Sequence, residues 1–353
     1  MQARTHEQGA PLQAPRQVEH SLLYLTRGDI ERLGGAASEL YMQALQQAFI
    51  RHAQGQVVQP LKPYLRANDG SGHIADRIIA MPAYIGGEEP VAGIKWVGSK
   101  HDNPARYGRE RASALIILND PDTNYPLAVM EGGLISSMRT ASVTALAARY
   151  LARPGFSQLA CIGCGFIAQM HLRVLLEQYP AITGVALFDL DPAAPRSLIA
   201  RLQPHFPAVA FDAAATAEEA VRRGEVVVTC TVTDQPYLQF AWLQKGAFLS
   251  NISLMDVHKD VFLQVEKVVV DDWEQCNREK KIINQLVLEG RFSREQLYAE
   301  LGEIVSGQRP GRETDDEIIL LNPIGIALED IACAQSIYQR ALATHAGTWL
   351  SLY

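Results

Sequence analysis

Between Ser157 and Asp189 the apolar positions change their spacing twice. "SQLACIG" is a short unbroken apolar run, "FIAQMHLRVLLEQY" spaces Ile167, Met170, Val174 and Leu175 along one helical face, and "AITGVALFDLD" is again continuous. The pattern predicts strand, helix, strand. Further on, "EVVVTCTV" (225–232), "AFLSNIS" (247–253) and "KVVVDDW" (267–273) lack the alternation of strands with one wet face. Continuous β-branched runs of this kind belong to parallel sheets covered on both sides. The expected fold class is α/β, with a Rossmann-type doubly wound nucleotide domain over residues 139–318.

The flanking segments read differently. "HIADRIIAMPAYIG", "VAGIKWVG" and "SALIILND" are strands, the last closed by the turn "NDPDTNYP", and "DIERLGGAASELYMQALQQAFIRHAQG" is helical. "SSMRTASVTALAARYLARPG" is a helix with Ser136 or Ser137 as its cap and Val143, Leu146, Ala147 and Leu151 as its apolar stripe. Near the end, "DDEIILLNPIGIALEDIACAQSIYQRALATH" gives a strand and then a helix too apolar to stand alone, which should return to the first domain. Residues 21–138 and 319–353 therefore form a discontinuous α+β substrate domain. Residues 1–20, with two prolines and no apolar core, are expected to be a flexible tail.

Composition narrows the class. The chain has 353 residues, 48% of them hydrophobic, enough for two ordinary cores. Its net charge of −7 is spread along the sequence and offers no basic footprint, so no nucleic acid partner is expected. No run reaches the roughly 20 apolar residues of a membrane span, so no membrane partner is expected either. An odd number of cysteines, five, without a secretion signal argues for a reducing, cytoplasmic location. Cys161 and Cys164 make a C-x-x-C, but no second pair is spaced to complete zinc coordination, and no metal is expected.

The glycine loop carries the first chemical signal. A G-x-G-x-x-A run is weak by itself and gains weight here from a strand before it, a helix after it and an acid ending the next strand. Gly163 permits the tight turn, Gly165 lets the backbone approach a pyrophosphate, Phe166 and Ile167 open the helix, and Ala168 lets helix and strand pack closely. Asp189, roughly 20 residues further on, is placed to hold the ribose hydroxyls and favours NAD over NADP.

"GIKWVGSKHDNP", "IILNDPDTNYPLAVMEGGLISSMRTASVTALAARYLA", "GCGFIAQMH" and "NPIGIALEDIACA" together resemble the ornithine cyclodeaminase/mu-crystallin family over nearly the whole chain after the tail. "NISLMDVHKDVF", "VVVDDWEQCNREKKIINQLVLEGRFS" and "PGRETDDEIILLNP" look most like its siderophore-pathway dehydrogenase branch. The resemblance implies an NAD-dependent oxidation of N-(1-amino-1-carboxy-2-ethyl)-glutamate, followed by hydrolysis to 2-oxoglutarate and L-2,3-diaminopropionate. It also implies a small-molecule amino-acid substrate and a homodimer built through the non-nucleotide domain. An ornithine cyclodeaminase, which returns its hydride and yields proline and ammonia, is the alternative activity. A nicotinamide-dependent binding protein like mu-crystallin is the alternative class.

The same likeness nominates residues. Lys95 matches the lysine beside substrate and nicotinamide, and Arg139 the arginine that grips a substrate carboxylate with its planar fork. Thr140 is a candidate for a cofactor phosphate contact. Near Lys62 the wider family commonly has an arginine; a lysine there binds an anion as a point charge, and with Arg66 it suits a substrate richer in carboxylates. Arg77 is a further carboxylate candidate. Asp256, past an expected strand, matches the acid that assists deamination and is placed to handle water and protons.

Overall fold

The computed structural model describes residues 21–66 and 76–353; the tail expected over residues 1–20 lies outside them. The first part of the chain supplies β1 (Ser21–Leu25), β2 (Val57–Val58), β3 (Tyr64–Leu65), β4 (Arg77–Ile85), β5 (Val91–Ser99), β6 (Ala112–Asn119) and β7 (Pro126–Glu131). They lie in the order β1-β7-β6-β5-β4-β2, with β3 also on β4, and all pairs are antiparallel except β1 with β7. Alternation along β5 sends Lys95 inward and Trp96 outward. Met81, Lys95 and Ile116 stand in one cross-strand row and are all buried.

Helix α1 (Ser38–Ala53) covers this inner face with Tyr41, Leu45, Ala48 and Phe49, an i, i+4, i+7, i+8 stripe. Helix α2 (Gly133–Leu151) is buried almost all round and links the two halves of the molecule. It starts earlier than its serines predict. The Glu131 carboxylate accepts from the N–H groups of Gly133 and Leu134, so the acid closing β7 satisfies the first turn. Ser136 is thereby freed to face Lys95, and Ser137 donates to the carbonyl of Leu134.

The second sheet contains β8 (Gln158–Ile162), β9 (Gly184–Phe188), β10 (Ala210–Ala213), β11 (Val226–Thr229), β12 (Phe248–Asn251), β13 (Lys267–Val270), β14 (Ala299–Glu300) and β15 (Ile319–Leu321). The order is β10-β9-β8-β11-β12-β15-β13-β14 and every pair is parallel. Strand order reverses between β8 and β11, the place where doubly wound sheets bind ligands. Helix α3 (Phe166–Gln178) follows β8 directly. The strand expected to open the last segment is β15, and it pairs between β12 and β13. The nucleotide sheet thus extends past residue 318, where the sequence put its end, because a fully buried run such as "ILL" belongs at a sheet centre.

Helix α4 (Ala327–Thr344) then returns to the first sheet and packs on α1, β4 and β5, as its apolar composition requires. The last strand, β16 (Thr348–Ser351), pairs antiparallel with β1. Among the described residues no helix is long and apolar enough to cross a membrane.

Candidate active site

A lysine in an apolar cross-strand row needs a partner, since an unpaired buried charge is costly. Lys95, 2% exposed, donates from Nζ to Asp330 Oδ2 at 2.6 Å and to Ser136 Oγ at 3.1 Å. Asp330 lies in the first turn of α4, and its other oxygen accepts from Arg139 Nε at 3.0 Å. Arg139 also donates from Nη1 to Glu329 Oε2. The result is a buried relay in which one carboxylate joins the strand lysine to the helix arginine.

Lys62 reaches the same place from the other side. Its Nζ donates to the carbonyl of Gly325 at 2.8 Å, and the N–H of Gly325 donates to Asp271 Oδ2 at 2.6 Å. Gly325 has φ 72°, and a Cβ there would lie 2.7 Å from Arg139 Nη1. Only glycine fits between the lysine and the arginine.

The electrostatics follow from burial and pairing. Burial pushes Lys95 down to about 8; neighbouring Arg139 adds to the fall and Asp330 opposes it. Burial also lowers Lys62, with Asp271 pulling the other way. Burial works against charge on Arg139 too, but Asp330 and Glu329 outweigh it and hold the guanidinium charged. Asp330 is lowered because Arg139 and Lys95 overcome its burial. Glu329 is raised to about 7 by burial, against the pull of Arg139.

A cavity of about 100 Å³ opens beside this relay, bordered by Arg139, Thr140, Gly325 and Glu329 and, from beyond β12, by Ile252. That is room for the reacting end of a small ligand rather than a whole one. Thr140 donates from Oγ1 to the carbonyl of Ser136 at 2.7 Å.

Across the switch point lies the glycine loop. Gly163 has φ 89°, and a Cβ on it would come within 2.7 Å of the Cys230 backbone. Around Gly165 there is open space, Phe166 is 43% exposed and Ala168 is buried. No side chain caps α3, so the N–H groups around Phe166 and Ile167 are left for an anion. Asp189 follows β9 directly; its Oδ2 accepts from Cys164 N at 2.7 Å and its Oδ1 from Asp191 N at 3.0 Å. A positive-φ turn, an open approach, bare helix N–H groups and an acid at the next strand end fit a dinucleotide.

The remaining candidates stand apart from the relay. Asp256 is fully buried and accepts from Thr231 Oγ1 at 2.6 Å and Tyr237 OH at 3.0 Å. Burial raises its carboxyl, with Ser253, Thr231 and Tyr237 opposing. Arg66 pairs with Glu279 at 2.5 Å and lies 4.8 Å from the Tyr64 ring, at the surface. Arg77 opens β4 on the face that carries Lys95, but it pairs with Ser99 while Lys95 pairs with Met81, so it sits far along the strand. Asp330, Glu329 and Asp271 are site residues that the sequence did not single out. The signal for Glu329 and Asp330 was two adjacent acids inside the apolar run "GIALEDIACA"; Asp271 lies in "KVVVDDW", just past β13.

A model of the ornithine cyclodeaminase/mu-crystallin family matches residues 25–345. The chain is 59% identical, over 95% of its length and the whole of the relative, to the N-((2S)-2-amino-2-carboxyethyl)-L-glutamate dehydrogenase of Staphylococcus aureus (strain NCTC 8325 / PS 47). It is 32% identical to an alanine dehydrogenase of Archaeoglobus fulgidus, covering 94% of this chain and 98% of the relative. Among solved structures, an archaeal alanine dehydrogenase dimer with bound NAD superposes with a TM-score of 0.84 at 31% identity, over 94% of this chain and all of that one. The Delta(1)-pyrroline-2-carboxylate reductase of Thermococcus litoralis, in complex with NADH and L-proline, gives 0.85 at 27% identity, over 93% and 99% of the two chains. With this match running from β1 to the end of α4, over both sheets and the seam between them, the chain belongs to the ornithine cyclodeaminase/mu-crystallin family.

Proposed function

We propose that the protein is an NAD-dependent dehydrogenase that oxidises N-((2S)-2-amino-2-carboxyethyl)-L-glutamate at the glutamate Cα–N bond and hydrolyses the product. The observation that carries this reading is the 59% identity over the full length of the staphylococcal dehydrogenase. The geometry supports it: Lys62, Lys95 and Arg139 are buried cations, Arg139 bordering the cavity and Lys62 held on the carbonyl of Gly325, which borders it too, a group of charges suited to a secondary amine bearing several carboxylates.

Gly163, Gly165 and the N–H groups around Phe166 and Ile167 would hold the pyrophosphate, Asp189 the ribose hydroxyls, and Thr140 a neighbouring phosphate oxygen. When bound, NAD supplies the hydride acceptor for the glutamate Cα. Arg139 and Lys62 grip substrate carboxylates, with Arg66 and Arg77 as outer contacts. Lys95, lowered to about 8, takes the proton from the secondary ammonium, leaving a lone pair to form the C=N bond. Asp256, raised by burial, accepts a proton from the water that adds to that bond. The products are 2-oxoglutarate and L-2,3-diaminopropionate, the latter destined for siderophore or related natural-product assembly.

The reading is tested by following NADH from protein, NAD and the conjugate while identifying both products, with ornithine as a parallel substrate. NADH forming in step with both products supports it. Proline and ammonia from ornithine, without NADH, would make the protein a cyclodeaminase.

Gly165 gives a sharp check on the cofactor loop. Its backbone is extended, and a Cβ there meets nothing within 4 Å. Gly165→Val should leave thermal stability unchanged but weaken NAD binding at least tenfold in calorimetry, because the side chain occupies the pyrophosphate's approach. Equal affinity would move the cofactor elsewhere.

We also place the protein in the cytoplasm as a homodimer. All five cysteines are free thiols, which suits a reducing compartment. The outer face of the first sheet exposes Tyr24, Tyr84, Trp96 and Leu115, an apolar patch fit for a second copy. Light scattering should give twice the chain mass of 38.9 kDa.

A further inference from the structure

We propose that Glu329 is the acid that releases the amine: through Oε1 it protonates the nitrogen as the C–N bond of the hydrated imine breaks. This rests on the dehydrogenase reading above.

Glu329 is fully buried and borders the cavity beside Arg139, Thr140 and Gly325. Its two oxygens differ: Oε2 is held by Arg139 Nη1, whereas Oε1 has no hydrogen-bond partner among the described residues. A buried polar atom left without a partner is uncommon and costly, and it points to a ligand that completes it. Neighbouring Asp330 cannot play this part, since both of its oxygens are taken by Lys95 and Arg139. The charged groups around Glu329 are Arg139 on α2, Asp330 on α4 itself, Lys95 on β5, Asp271 beyond β13 and Lys62 between β2 and β3. Burial is the largest influence on its carboxyl and raises it to about 7, so a large share of it carries a proton at neutral pH.

The step balances. Water has added to the C=N bond, leaving a carbon that bears a hydroxyl and an N–H. The Oε1–H bond of Glu329 breaks and its proton goes to the nitrogen. The C–N bond breaks with its electron pair on nitrogen, giving the free amine. The hydroxyl proton returns to the Glu329 carboxylate as the carbonyl forms, so the acid is restored. In the interval Arg139 Nη1 stabilises the carboxylate it already holds.

The test compares wild-type protein with Glu329→Gln and Glu329→Asp in stopped-flow and product assays. Glutamine keeps an acceptor for Arg139 but cannot give a proton. Glu329→Gln should bind NAD normally and show a stoichiometric NADH burst at the wild-type rate. Its steady turnover and diamino-acid release should then fall about 10²–10⁴-fold, the usual contribution of a general acid. Wild-type kcat should decline as pH rises through about 7, where the acid loses its proton, and this limb should vanish in the glutamine variant. Glu329→Asp keeps an acid and should recover part of the amine release together with the limb.

Release at the wild-type rate from Glu329→Gln overturns the proposal. So does equal loss of burst and release in both variants, which would assign Glu329 to structure. If the wild-type protein makes no NADH from the conjugate, the dehydrogenase reading fails and the proposal falls with it. Wild-type NADH formation beside an unaffected glutamine variant defeats this proposal alone.

Discussion

Replacing Lys95 with alanine should lower turnover about 10²–10⁴-fold while leaving NAD affinity unchanged, the range expected when a positioned base is removed. A secondary amine bonded to an amino-acid carbon is largely protonated at neutral pH, and Cα cannot release its hydride until nitrogen has a lone pair to share. In the proposed mechanism Lys95 takes that proton. Its Nζ is buried between Asp330 and Ser136, and burial lowers it to about 8, so a useful fraction is neutral near that pH. The sign is fixed: kcat/KM should rise with pH as the lysine loses its proton and level off above about 8. Lys95→Arg keeps the charge facing Asp330 but cannot deprotonate, so it should lose this rising limb without gaining activity. NADH formation across a pH series, with NAD affinity from calorimetry, reads both effects. Near-normal turnover in Lys95→Ala would remove the residue from the mechanism.

How visible these residues were in the sequence depended on how local their constraints are. The nucleotide loop was legible because each requirement lies within one strand-turn-helix unit: Gly163 needs its positive φ, and Ala168 must be small to pack. Lys95 and Arg139 came only from the family motif, since their shared carboxylate is 235 residues from the lysine. Asp330 and Glu329 were hidden by an ordinary pattern. Acids in the first turn of a helix complement its dipole, and nothing local distinguishes that role from burial beside two cations. The start of α2 was misplaced because its cap is a glutamate reaching forward from the end of β7, not a serine at the usual position. The domain edge at residue 319 missed a strand whose register is set by two non-neighbouring segments, β12 and β13.

Asp330→Asn should be the most destabilising substitution in the site, by about 3–5 kcal/mol in chemical denaturation at pH 7, the cost of removing one member of a buried charge network. The carboxylate is fully buried and binds Lys95 with one oxygen and Arg139 with the other. Without it the two cations respond differently. Lys95 can shed its proton, and its value should fall further below about 8. Arg139 cannot, because a guanidinium stays charged in proteins, so Glu329 becomes its sole carboxylate partner and should be drawn toward ionisation. The pH dependence has a definite sign. Burial opposes the charge on Asp330, but Arg139 and Lys95 win and hold it below the ordinary carboxylate value. Its contribution is therefore fully present above the unfolded value of about 3.9 and is lost as pH falls through the lowered folded value. The stability gap between wild type and Asp330→Asn should accordingly be widest near neutrality and close in acid. Denaturant melts at several pH values, read by tryptophan fluorescence, measure that gap. A variant as stable as wild type at pH 7, or a gap that persists after the carboxylate is protonated, would mean that Asp330 does not hold the two cations together, and the site would need another account of how Lys95 stays buried.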